Sequence, residues 1–239
     1  PIFLLVFFIG KSYSAPEEKG NEENIQQDFA GKVDATMIKE ATPLQVEKGA
    51  DGKPIGKVVY LTFDDGPSKL TDQFLDVLRE ENVKATFFMQ GNNLKKEHLQ
   101  ESVRRATQEG HYIGAHSMTH EYKTLYKEEQ FVPEMSETLV LIQDITGILP
   151  NLVRPPYGSA PGLKSKQMRD QIADVGMKVW DWTIDSNDWA FKDNPNQIVE
   201  TIKNETNVDI EVVLMHEKIQ TLQALPEIIA FYKEQGYKF

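Results

Sequence analysis

VVYLTFDDGP, residues 58–67, decides the fold. Its first six residues are an apolar, β-rich run without clean alternation, as expected of a strand buried on both faces. The run ends abruptly at Asp64-Asp65-Gly66, which is turn chemistry. A helical pattern follows, with Leu70, Phe74, Val77 and Leu78 on one face. Working outward, the same strand–turn–helix unit recurs. ATFFMQ (85–90), YIGAHS (112–117), NLVRPP (151–156), KVWDWTI (178–184) and DIEVVLMH (209–216) read as strands, and GYKF (236–239) as a candidate closing strand. Helices are expected over about 94–109, stopped by Gly110, and over 128–146, closed by Gly147. Others are expected near 163–175, 195–206 and 219–234. Six or seven such alternations give an α/β fold with a parallel sheet and helices outside. The choice lies between an open doubly wound sheet and a (β/α) barrel. No glycine-rich phosphate loop follows the first strand, which disfavours the nucleotide-binding version.

The chain has 239 residues, 40% of them hydrophobic, enough for one substantial domain with an extension. Its formal net charge of -11 argues against a nucleic-acid partner, which requires a basic face. It has no Cys, so disulfides, thiolate metal sites and a Cys nucleophile are excluded, and any metal must be held by His and carboxylates. PIFLLVFFIG (1–10), followed by small residues Ser12, Ser14 and Ala15, reads as the apolar region and cleavage zone of a signal peptide, or as an N-terminal anchor, over 1–15. A secreted or wall- or membrane-associated location is therefore expected, with membrane contact only through that anchor. Residues 16–55 read as a polar linker and extension, and 56–239 as the functional domain. No feature marks a protein partner.

Titratable residues stand at the strand ends. Asp64 and Asp65 close the first strand and His116 the third, with His120 four residues on. Arg154, Asp185 and His216 close the next three. In a (β/α) barrel those ends face one mouth, where active sites are built. His116 and His120, at i and i+4, share a face if a helical turn starts there, and Asp65 or Asp64 completes a His-His-Asp metal set. The other Asp can then take a proton from water. Arg154, stiffened by Pro155 and Pro156, can pair bidentately with an Asp. His216 can protonate a leaving amine, oriented by Asp185. Tyr157 and Trp189 flank the same strand ends, while His98 and His111 match no constellation.

Five motifs carry a family resemblance: TFDDGP (62–67), HSMTH (116–120), RPPYG (154–158), DSNDW (185–189) and LMH (214–216). Together and in this order the chain resembles the polysaccharide deacetylases with the NodB homology domain, carbohydrate esterase family 4, over roughly residues 56–239. The resemblance implies a distorted (β/α) barrel of about seven strands with a short N-terminal extension. It implies Asp64 as general base, and Asp65, His116 and His120 as ligands of one divalent cation, usually zinc, with cobalt able to substitute. It implies Arg154 as the tether of the base, the Tyr157 N–H as oxyanion donor, Trp189 and Leu214 as walls of the acetyl pocket, and His216, supported by Asp185, as general acid. Glu217 departs from the family, many of whose members have Asp there. The expected activity is N-deacetylation of an N-acetylglucosamine polymer, peptidoglycan before chitin. An O-acetyl esterase acting on a glycan such as xylan, and a non-catalytic glycan-binding domain, are the alternatives.

Overall fold

A computed structural model of the chain describes residues 55–239. The leader or anchor expected over 1–15, and all of the extension expected over 16–55 except Ile55, lie outside the described residues. Seven strands are present: β1 Val58–Gly66, β2 Ala85–Met89, β3 Tyr112–Ala115, β4 Leu152–Val153, β5 Lys178–Val179, β6 Ile184–Asp185 and β7 Ile210–His216. All pair in parallel, in the order β5-β4-β3-β2-β1-β7-β6. The helices are α1 Thr71–Glu80, α2 Gly91–Leu94, α3 Glu97–Gln108, α4 Tyr122–Tyr126, α5 Phe131–Thr146, α6 Ser159–Gly162, α7 Lys166–Asp174, α8 Pro195–Glu205 and α9 Ile219–Glu234. Among the described residues no helix is long and apolar enough to cross a membrane.

Local chemistry sets several boundaries. The Ser165 hydroxyl accepts the Met168 N–H at the start of α7, and the Asn194 side chain accepts the Gln197 N–H ahead of Pro195 in α8. Gly147 closes α5 at φ 77°, a conformation that costs glycine little. The helix expected from 94 is two pieces, broken at Lys95-Lys96, and the one expected from 128 starts at Phe131. The closing strand expected at 236–239 is a single bridge between Lys238 and Val58.

KVWDWTI, expected as one strand, is two strands on opposite edges of the sheet. The main-chain carbonyls of Trp180 and Asp181, between them, accept hydrogen bonds from the Arg154 guanidinium at 3.0 and 3.3 Å instead of joining a ladder. Residues 180–183 therefore join the two edges of the sheet. Laid flat, six strand spacings would separate those edges by about 29 Å. The five Cα steps from Val179 to Ile184 reach at most about 18 Å. The sheet must curl, and the result is a half-barrel.

Alternation along the strands sorts side chains to the two faces. Val59, Leu61, Phe63, Phe87, Met89, Val213 and Met215 pack with the helices in the main core. Thr62, Asp64, Phe88, His116, Arg154, Leu214 and His216 occupy the alternate, inward positions. A fixed period of two thus carries Asp64, His116, Arg154 and His216 to one mouth.

His111 belongs to the structural frame. Its side chain is fully buried, Nδ1 accepts the Ala85 N–H at 3.1 Å, and its ring meets Phe87 edge-on at 5.7 Å. Burial, helped by the Lys84 charge, holds its pKa down to about 4. The folded state therefore keeps His111 neutral while the unfolded chain protonates near pH 6.5. Its contribution is complete above pH 6.5 and is lost as pH falls toward 4. Between pH 7 and 4.5 the wild type should lose about 2 kcal/mol more than His111→Asn, whose amide cannot titrate. Urea denaturation at both pH values measures this, and parallel losses would remove His111 from the acid response.

Candidate functional site

The turn after β1 sets both aspartates. On an extended strand, neighbours point to opposite faces. Asp65, however, takes φ 68°, and the β1–β2 register shifts between Asp64 and Gly66. The turned backbone brings both carboxylates to His116 Nε2, Asp64 Oδ2 at 3.6 Å and Asp65 Oδ1 at 3.7 Å. Asp64 is buried, and the Arg154 Nη1 donates to its Oδ1 at 2.9 Å. The same nitrogen donates to the Thr62 hydroxyl, and the guanidinium stacks over Phe88 with 4.2 Å from Cζ to the ring centre. Arg154 itself is fully buried, so cation, carboxylate and aromatic face satisfy one another away from water.

The two histidines lie on a loop, and no helical turn starts at His116. Ser117 and His120 both take φ 62°, which folds the loop tightly enough to bring the imidazole centres within 5.1 Å. Left-handed residues other than glycine need support. The loop has it: the His120 N–H donates to the Ser117 hydroxyl, and the Met118 and Thr119 N–H groups donate to the buried Glu134 carboxylate at 3.0 and 2.9 Å. The Thr119 hydroxyl donates to Glu134 as well. Glu134 sits on the apolar face of α5 beside Phe131, Met135 and Thr138.

Asp65, His116 and His120 each offer a ligand atom, all within 4.8 Å of one another. Asp65 Oδ1 is 3.7 Å from His116 Nε2 and 3.6 Å from His120 Nε2. Donors about 2.1 Å from a tetrahedral cation stand about 3.4 Å apart, so the set fits a divalent ion with little movement. His116 Nδ1 lies 2.7 Å from the Arg154 carbonyl, to which it donates, leaving the Nε2 lone pair facing Asp65. Burial holds this imidazole below its ordinary pKa, against the charges of Asp64 and Asp65, and the neutral form is the ligating one.

His216 is the ladder partner of Asp64 across β1 and β7. The carboxylate expected to orient it, Asp185, does not: the Asp185 Oδ1 accepts the Asn187 N–H at 2.9 Å and shapes the loop. Asn187 takes φ 54°, and that turn delivers Asp188 to the imidazole. Asp188 is fully buried, with Oδ1 2.7 Å from His216 Nδ1. Its Oδ2 accepts the His216 N–H and the Thr221 hydroxyl. Burial alone would lower the His216 pKa, but the Asp188 bond and the charges of Asp188, Asp64 and Asp65 outweigh it and hold the pKa above its ordinary value.

Around these groups Leu214 is buried on the inward face, while Tyr157 and Trp189 are 53% and 56% exposed on the rim. Tyr157 takes φ 66° and its hydroxyl donates to the His120 carbonyl at 3.0 Å, tying the 154–158 turn to the histidine loop. Gly158 turns at φ 79° with the Trp182 ring 3.0 Å from where a Cβ would stand. Asp188, Glu134 and Thr62 are the site residues that sequence reasoning missed. For Glu134 a signal existed, since a carboxylate on an apolar helix face demands buried donors.

The profile of the polysaccharide deacetylase family matches residues 51–180. A peptidoglycan-N-acetylglucosamine deacetylase of Bacillus cereus is 39% identical over 243 residues, covering 98% of this chain and 85% of that protein. The crystal structure of a polysaccharide deacetylase from Bacillus cereus superposes with a TM-score of 0.74 at 45% identity, over 77% of this chain and 90% of that one. A family 4 carbohydrate esterase from Streptomyces lividans, solved in complex with acetate, gives a TM-score of 0.66 at 33% identity, over 76% and 90%.

Proposed function

Because this chain belongs to the polysaccharide deacetylase family, we propose that it hydrolyses the N-acetyl groups of N-acetylglucosamine residues in peptidoglycan, outside the cell, with zinc as its cation. The observation that carries the reading is the convergence of the Asp65–His116–His120 donor set on Asp64, whose carboxylate Arg154 holds in place. The peptidoglycan substrate rests on the 39% identity to the Bacillus cereus enzyme across nearly the whole chain. The extracellular location rests on the apolar run at 1–10 and the polar segment after it.

Asp65, His116 and His120 would hold the cation, which when bound supplies Lewis acidity toward the acetyl carbonyl and toward water. Asp64 takes the proton of the attacking water, with Arg154, itself bonded to Thr62, fixing the carboxylate's direction. The Tyr157 N–H donates to the oxygen that gains charge. His216, whose hold on a proton Asp188 strengthens, delivers that proton to the departing glucosamine nitrogen, so that acetate and a free amine result. Leu214 and Trp189 border the acetyl methyl.

The test is acetate release from peptidoglycan and from N-acetylglucosamine oligomers, using chelator-stripped protein before and after zinc is restored. Zinc-dependent release from peptidoglycan is expected. Release from acetylated xylan alone would replace this reading with an O-acetyl esterase, and glycan binding without release would replace it with a binding domain. His120→Ala removes one of three ligands, and the isolated protein should lose stoichiometric metal. Full metal content in that variant, read by elemental analysis, would sink the ligand assignment.

A further inference from the structure

Glu217, next after His216, is only 8% exposed and plays no part in the chemistry above. Alternation turns its side chain away from the face of His216 and toward the turn that carries Asp64 and Asp65. There its Oε2 accepts three hydrogen bonds: from the Ser68 N–H at 3.1 Å, the Ser68 hydroxyl at 2.5 Å and the Thr71 hydroxyl at 2.6 Å. Its Oε1 lies against Gly66 so closely that a Cβ built there would stand 2.1 Å from it. A side chain at 66 would push the carboxylate out, so the contact itself requires glycine.

The far side of the turn has its own anchors. The Gln90 N–H donates to the Gly66 carbonyl at 2.7 Å, and the Asn93 amide donates to the Asp65 carbonyl at 2.8 Å. The ladder between β1 and β7 ends at the pair Asp64 and His216. Beyond that pair, the Glu217 carboxylate links the end of β7 to the turn and to the first residues of α1. Its two ends carry the proposed base and metal ligand on one side and the proposed acid on the other.

We propose that Glu217 is a positioning residue, fixing the separation between the Asp64–Asp65 turn and the His216 imidazole, and thereby serving turnover and not metal affinity. The inference rests on the deacetylase reading. A proton donor and a proton acceptor that work on one tetrahedral centre tolerate little change in spacing. Misplacement by about 1 Å costs roughly 100-fold in rate.

The test cuts the link from both ends in the full chain: Glu217→Ala, the pair Ser68→Ala with Thr71→Val, and all three together. With an N-acetylglucosamine oligomer and saturating zinc, Glu217→Ala should lower kcat by about 10- to 100-fold with KM little changed. Metal content should equal the wild type. The triple variant should be no slower than Glu217→Ala, because both ends belong to one link. In metal-free protein, amide exchange should lose protection over residues 64–71 and keep it in β2 and α9. An unchanged kcat, a loss that tracks missing metal, additive effects, or unaltered exchange over 64–71 would each overturn the proposal. Should Glu217→Ala fail to fold, the Ser68 and Thr71 pair decides alone, with a kcat fall of about 10-fold expected. A wild type that releases no acetate from any acetylated glycan would end the deacetylase reading, while the exchange experiment would still report on the link.

Discussion

Asp64→Asn is expected to lower kcat by about 1,000-fold while the protein keeps its metal. The amide has nearly the shape of the carboxylate, and its oxygen can still accept from the Arg154 Nη1 that now donates at 2.9 Å. It cannot take a proton from water. The ligand set is untouched, because Asp65, His116 and His120 supply it without Asp64. Rate loss and metal content therefore separate in this variant, which a general disruption of the mouth would not allow. Rates within a few fold of wild type at full metal content would take the base role away from Asp64.

Arg154→Met should lower the stability of the fold by about 3–5 kcal/mol and turnover with it. Arg154 is fully buried, and its guanidinium joins Asp64 and Thr62 on β1 to the carbonyls of residues 180 and 181 between β5 and β6. Met fills similar volume but leaves the Asp64 carboxylate without its cation and two carbonyls without donors. Arg154→Lys keeps the charge but loses the planar fork, and should fall between the two. Urea denaturation midpoints give the ordering. A Met variant within about 1 kcal/mol of wild type would show that the pair contributes little to holding the half-barrel shut.

Much of this site was legible in the sequence, because strand ends and a two-residue period are local properties. Asp64, His116, Arg154 and His216 could be placed at one mouth from where apolar runs stop. Two of the failures share a physical origin, the left-handed residues of the connecting loops. Spacing alone joins His116 and His120 only if a helical turn starts there, but φ 62° at Ser117 and His120 makes a loop that brings the rings together differently. Position at a strand end selected Asp185 as the partner of His216, and φ 54° at Asn187 hands that place to Asp188. KVWDWTI read as one strand because its composition is uniformly β-rich. What divides it is a long-range claim on its carbonyls by a side chain 26 residues away in sequence. Such claims leave no local trace.

The order of the strands bears on when the molecule can become active. β1, the first of the described strands in sequence, lies inside the sheet, flanked by β2 and by β7, the last of them. The pair Val58–Ile210 is 152 residues apart in sequence, and the Lys238 N–H donates to the Lys57 carbonyl as well. A chain that emerges from its N-terminus holds this inner strand half-paired until residues 210–216 arrive. Loops of that length close slowly, and an open β1 edge is a hazard for association in the interval. His216, the proposed proton donor, lies on that same strand. On the proposed mechanism, completion of the sheet and completion of the catalytic group are thus one event.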